Sequence, residues 1–192
     1  MEKLTGRKKI RSAVFISGTG SNLNNIIKFS RTKKSPISID LIFSNTTKAK
    51  GLKYADQFKI EKIIFNFKDI KITEKKILAL LKTKKIKFIC LAGFMKILSK
   101  EFIIKFDGKI INIHPSLLPK YKGLNTHSRA IKNKDKFAGC TVHYVTEKLD
   151  SGKIILQKKI KIAAKDDQLS LAKKILQQEY KLYPAAILKI FN

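Results

Sequence analysis

Asn112 and His114 stand one residue apart, directly after the short apolar pair Ile110–Ile111 and before two prolines, Pro115 and Pro119. The apolar pair reads as a strand. In extended chain, residues i and i+2 point the same way, so Asn112 and His114 share one face at the strand's end. An amide that donates a hydrogen bond then lies beside an imidazole that carries a proton. The prolines stiffen the loop beyond the strand and push the residue before each away from helix. A stiff loop that holds an acid–base group at a strand end is a common way to place a site on an α/β sheet. A His–Pro pair alone is more often an ordinary turn, so the rest of the chain has to support the reading.

A second candidate comes after the apolar run of residues 10–17. Gly18-Thr19-Gly20-Ser21-Asn22 leads into Leu23, Ile26 and Ile27 at helical spacing, which predicts strand, glycine turn and helix. A helix start of this kind points free N–H groups at an anion. Gly20 lets the backbone approach it, and Ser21 or Asn22 caps the helix or adds a donor. A dinucleotide fingerprint would need glycine at position 23, where Leu23 stands, and an acidic residue near the second strand's end, where Ser44 and Asn45 stand. NAD is therefore excluded, and a monophosphate fits better. A third stretch, Ala92 to Leu98, is an apolar loop led by Gly93, placed where a flat aromatic ligand could lie.

Residues 37–43 read as a second strand, 49–58 as a helix and 62–65 as a short strand. Thr73 is expected to cap a helix to about Lys84 with Ile77, Leu78 and Leu81 on its apolar face. A fourth strand comes at 87–91, and Ser99 caps a short helix, 100–106. Residues 125–133 look helical, 139–145 and 153–162 look like strands, and Asp166 opens a last amphipathic helix carrying Leu169, Leu171, Ile175, Leu176 and Leu182, with Pro184 in or near its end. His143 reads as a packed or supporting residue. Strands alternating with helices predict a mainly parallel α/β sheet with helices on both faces, its site at the carboxyl ends of the strands.

The chain has 192 residues, a length that suggests one domain spanning 1–192. The apolar run after the basic start is too short for a signal-peptide core, and no run is long enough to span a membrane, so the expected home is the cytoplasm. Cys90 and Cys140 lie in apolar runs and read as reduced core residues rather than a disulfide or metal pair. The formal net charge is +28, yet only four of the 42 basic residues are arginine. Lysine is spread along the whole chain, which argues for a solvated surface over a nucleic-acid stripe with its bidentate arginines. A basic RNA-binding protein remains the rival of a different class. Its binding would weaken steeply with salt and would not need Asn112, His114 and Asp150 together.

Four stretches in order, SGTGSNL (17–23), LAGFMKILS (91–99), INIHPSLLPKYKGL (111–124) and GCTVHYVTEKLDSGKIILQ (139–157), resemble the phosphoribosylglycinamide formyltransferase family, folate-dependent enzymes of purine synthesis. The resemblance implies a Rossmann-like formyltransferase fold. It implies that Asn112, His114 and Asp150 are catalytic, and that Gly20, Ser21 and Asn22 hold the substrate phosphate. It further implies that Met95, Lys96, Ile97, Leu98 and Thr146, with Asn112 and Asp150, line the folate pocket, and that Glu179 lies near glycinamide ribonucleotide. The co-substrate implied is 10-formyltetrahydrofolate, with no metal, membrane or specific nucleic acid, and a monomer or weak homodimer. Lys96 stands where the family often has arginine, and residues 66–73 offer no place for its additional folate-binding arginine. Formyltetrahydrofolate hydrolase would carry a preceding regulatory domain and methionyl-tRNA formyltransferase a C-terminal one, neither expected here.

Overall fold

The computed structural model describes residues 8–191. Seven strands form one sheet in the order β3-β2-β1-β4-β5-β6-β7. They are β1 (Ile10–Ile16), β2 (Ile37–Ser44), β3 (Glu61–Ile64), β4 (Phe88–Leu91), β5 (Lys109–His114), β6 (Phe137–Tyr144) and β7 (Ile154–Lys161). The helices are α1 (Ser21–Ser30), α2 (Lys53–Phe58), α3 (Ile70–Thr83), α4 (Lys100–Lys105), α5 (Thr126–Lys132) and α6 (Gln168–Phe191). By contact density the chain forms two compact units. The first holds residues 8–96 with Lys105–Lys109 and Phe191, and the second holds Ile97–Ile104 and Ile110–Ile190.

In the first unit β1 pairs in parallel with β2 and β4, and β2 with β3. Ser12 to Ile16 of β1 and all of β4 are buried without alternation, the mark of strands covered on both faces. Phe15, Phe43, Phe67 and Phe94 form an aromatic cluster here, with ring centroids 4.5–6.2 Å apart. In the second unit β6 runs antiparallel to β5 and to β7. β7, the last strand in the order, buries only Ile155 and carries exposed lysines, which blunt an open edge. α6 buries Leu171, Ile175, Leu182, Tyr183, Ala186 and Ile187 at three- and four-residue steps, one apolar stripe.

Four local expectations need correction. α3 begins three residues earlier than Thr73, because the Asp69 carboxylate accepts from the Ile72 N–H and caps the helix. Thr73 instead turns its hydroxyl to the Asn66 carbonyl, at 3.1 Å. The helix expected over 49–58 opens as a 3-10 turn, Lys50–Leu52, because the Gly51 N–H is drawn to the Gly18 carbonyl at 2.9 Å. At α6 the cap is Asp167, whose carboxylate accepts from Ser170 N–H at 2.7 Å while its own N–H donates to the Ser170 hydroxyl. Leu169 falls on the outer side of that first turn and is exposed rather than part of the apolar face. Ser99, by contrast, caps α4 as expected, its hydroxyl accepting from Phe102 N–H. Cys90 and Cys140 are both buried and are not joined in a disulfide.

Candidate active site

β5 carries Asn112 and His114 two residues apart, and the antiparallel register sets Asn112 opposite His143 and His114 opposite Thr141 on β6. Directly opposed residues share a face and meet side by side. The Asn112 amide nitrogen lies 3.3 Å from His143 Nε2. His143 Nδ1 lies 2.9 Å from the Tyr144 carbonyl, so Nδ1 carries the proton and Nε2 is left to accept from Asn112. The same Nε2 is 3.6 Å from Asp150 Oδ1, and Asp150 Oδ2 is 3.3 Å from His114 Nδ1. Asn112, His143, Asp150 and His114 thus form one chain of polar groups. His114, His143 and Asp150 in it are at most 9% exposed. His143, read from sequence as a supporting residue, is the link that joins Asn112 to Asp150.

Asp150 sits in the loop between β6 and β7 with a positive φ of 45°, a conformation aspartate tolerates better than most residues. Its Oδ2 accepts from the Gly123 N–H at 2.8 Å, and Lys122 reaches Ser151 in the same loop at 2.6 Å. Neighbouring His143, the Gly123 N–H donor and the nearby His114 hold the Asp150 carboxyl below its ordinary pKa, against its burial. His114 goes the other way. Burial pulls its pKa below the usual imidazole value, and the Tyr121 carbonyl and Asp150 push back without cancelling it. The Asp150 charge by itself lifts this pKa, while the net direction is set by burial. His114 itself is 6% exposed.

The loop after β5 is fastened by a buried hydroxyl. Thr141 Oγ donates to the Ser116 carbonyl at 2.6 Å and accepts from Leu118 N–H and from Gln157. Gln157 also donates to the Leu118 carbonyl, and Ser116 to the Lys120 carbonyl. The loop ends on Tyr121, whose carbonyl accepts from His114 Nε2 at 2.8 Å. Nothing in residue type or spacing singles out Tyr121 or Thr141, because their roles depend on a loop path that only the folded chain defines. His127 on α5 also escapes sequence reading. It is half-buried with its pKa lowered by burial and by His114.

In the first unit the glycine turn has the expected form but a different reason for its glycine. Gly20 is the N-cap of α1 at φ 74°, and no side chain caps the helix, so neither Ser21 nor Asn22 plays that part. A Cβ on Gly20 would lie 2.6 Å from the Gly51 Cα, and one on Gly51 would lie 2.8 Å from the Gly20 Cα. Glycine is needed at position 20 for a backbone-to-backbone contact within the protein and for a positive φ. Ser21, half-buried, and Asn22, buried, occupy the first turn of α1.

The loop after β4 is tied to the end of β1. The Met95 N–H donates to Ser17 Oγ at 2.8 Å, and Ser17 N–H to the Gly93 carbonyl. Met95, Lys96 and Ile97 are exposed, whereas Leu98 is 3% exposed and packs inward. Thr146 is exposed and turned to the Lys148 carbonyl. Glu179 is buried on α6, close enough to Cys140 to help burial push that thiol to about 12. Among the described residues no cluster of three or more His, Cys, Asp or Glu could hold a metal ion, and no helix is long and apolar enough to cross a membrane.

A family described as "Formyl transferase" matches residues 10–187. The chain is 43% identical over 183 residues to the phosphoribosylglycinamide formyltransferase of Haemophilus influenzae, covering 94% of this chain and 85% of that one. It is 41% identical over 184 residues to the human trifunctional purine biosynthetic protein adenosine-3, covering 94% of this chain but only 18% of the human protein. Among solved structures, the phosphoribosylglycinamide formyltransferase of Brucella melitensis superposes with a TM-score of 0.90 at 41% identity, over 95% of this chain and 96% of that one.

Proposed function

Because the chain belongs to the formyl transferase family, we propose that it moves the formyl group of 10-formyltetrahydrofolate to the amine of glycinamide ribonucleotide, a step of purine synthesis. The observation that carries this reading is the buried chain Asn112–His143–Asp150–His114. The substrate amine attacks the formyl carbon, and the carbonyl oxygen takes up negative charge. Donors aimed at that oxygen lower the barrier. The Asn112 amide is one, and the His114 imidazolium is the other. Nδ1 of His114, at 3.3 Å from Asp150, is held more loosely than Nε2 and is the nitrogen that turns its proton to the oxyanion. Burial alone would leave the ring neutral, and the charge growing on the formyl oxygen adds to Asp150 in drawing a proton onto it. Asp150 also relays the proton that the amine must lose, through water, and the intermediate collapses by expelling the folate nitrogen, which takes up a proton.

In the same reading the free N–H groups at the start of α1, with Gly20, Ser21 and Asn22, hold the ribonucleotide phosphate and so limit how the amine approaches. Met95, Lys96 and Ile97 meet the folate as exposed side chains, Leu98 supports them from inside, Thr146 and Asp150 close over the pterin, and Glu179 serves the ribonucleotide. Residues 1–192 work as one formyltransferase domain, as a monomer or weak homodimer in the cytoplasm. The test is an assay with purified protein, glycinamide ribonucleotide and formyl-folate. Deformylated folate should form only with both substrates present. Release of formate without the ribonucleotide would mean a hydrolase, and no turnover at all would defeat the reading.

A further inference from the structure

Tyr121 is the residue whose conformation is hardest to account for by the loop alone. It is not glycine, yet its φ is +55°, a region in which a bulky side chain is disfavoured. Four contacts hold it there. Its hydroxyl donates to Asp135 Oδ2 at 2.8 Å and accepts from the Asn133 amide at 2.8 Å. The Arg129 guanidinium lies 4.8 Å from its ring centre, and the same arginine donates to the carbonyl of the next residue, Lys122. Asp135 is itself fixed by Lys120 at 2.9 Å. The outcome of this bracing is that the Tyr121 carbonyl lies 2.8 Å from His114 Nε2, while Asp150 Oδ2 lies 3.3 Å from Nδ1.

We propose that Tyr121 is a positioning residue for His114: its side chain, strutted against Asp135, holds its own carbonyl on Nε2, so that the ring lies between two oxygen acceptors and only its doubly protonated form satisfies both. Either neutral tautomer leaves a nitrogen lone pair facing an oxygen, at 2.8 Å or at 3.3 Å. The strut therefore favours the cation in a buried place that otherwise disfavours it. The other groups acting on the ring are Asp150, which also favours the cation, and His143 and Arg129, which oppose it, while His127 stands near enough for His114 to lower its pKa. The inference rests on the reading of His114 as the protonated donor in formyl transfer.

The experiment is an NMR titration of the His114 ring nitrogens in the full chain, parent against Tyr121→Phe, which removes the hydroxyl and keeps the ring over Arg129. The titration midpoint should fall by about half a unit to one unit, the weight of one hydrogen bond to the charged form. The alkaline limb of kcat should move to lower pH by the same amount, with KM for the ribonucleotide unchanged. Asp135→Asn should act in the same direction, more weakly, and it decides the matter if Tyr121→Phe does not fold. Gln157→Ala loosens the loop at Leu118 and Thr141 without touching the strut, so it should lower the melting temperature and leave the midpoint in place. An unmoved midpoint in folded Tyr121→Phe overturns the proposal, and so does an equal shift in Gln157→Ala. The titration needs no turnover. A protein that lacks formyl transfer but shows the shift would sink the proposed function and leave the strut standing.

Discussion

The turn after β1 and the loop after β5 solve the same problem in opposite ways. At Gly20 the chain uses the lack of a side chain: two glycines touch Cα to Cα, and the groups proposed to hold the phosphate are backbone N–H groups at a helix start. After β5 the chain uses side chains throughout. Thr141, Gln157, Ser116 and Tyr121 each satisfy a specific backbone or carboxylate partner, and the groups proposed to act are an imidazole and a carboxylate. A backbone site needs only space and a permitted φ. A side-chain site in a buried place needs every polar neighbour satisfied, since an unpaired buried group costs about 1–3 kcal/mol. The first is therefore built from few residues close in sequence, the second from many residues far apart.

The comparison breaks most visibly at His114. His114→Ala should lower kcat by about 10²–10⁴, and because the ring is buried and hydrogen-bonded the variant should also lose stability, read by thermal unfolding. A variant with near-parent kcat would remove the imidazole from the chemistry. Gly20→Val tests the backbone site. Its side chain meets the Gly51 backbone, not a ligand, and with the φ penalty the cost should be about 2–4 kcal/mol of stability. A variant as stable as the parent that raises only KM for the ribonucleotide would show that the glycine serves ligand approach after all.

Thr141→Val keeps the shape and removes the hydroxyl on which three partners converge. Its cost should be about 1–3 kcal/mol in chemical denaturation, together with a lowered kcat as the loop loses its path. An unchanged unfolding midpoint would mean that the loop is held elsewhere. Asp150→Asn removes the proposed proton relay and so lowers kcat, and its smaller effect on the pH profile is the sharper test. Removing the carboxylate takes away a charge that raises the His114 pKa, so that pKa falls further. If the imidazolium is the working form, the alkaline limb of kcat moves to lower pH by about one unit, the size of a single near charge. A shift of the acid limb alone, with the chemical step rate-limiting, would make His114 a base instead.

What the sequence determined by itself is whatever depends on neighbours in the chain. Strand and helix order came from apolar periodicity, and the ends of β1, β4 and α6 moved by only one or two residues because these elements are strongly patterned. The glycine turn, the Asn112–His114 spacing and the capping Ser99 were legible because each is a local device spanning a few residues. The tertiary structure decided the rest. The partner of Gly20 lies 31 residues away, at Gly51, so a motif that looks like a ligand cradle also serves as packing. The pKa of His114 depends on burial, and its two acceptors, Tyr121 and Asp150, stand 7 and 36 residues on. Asp69 outcompeted Thr73 as a cap because its carboxylate reaches the Ile72 N–H while Thr73 found the Asn66 carbonyl. Long-range hydrogen bonds leave no periodic trace in a sequence, so burial and loop path had to be seen in the fold before the chemistry of the imidazole could be assigned.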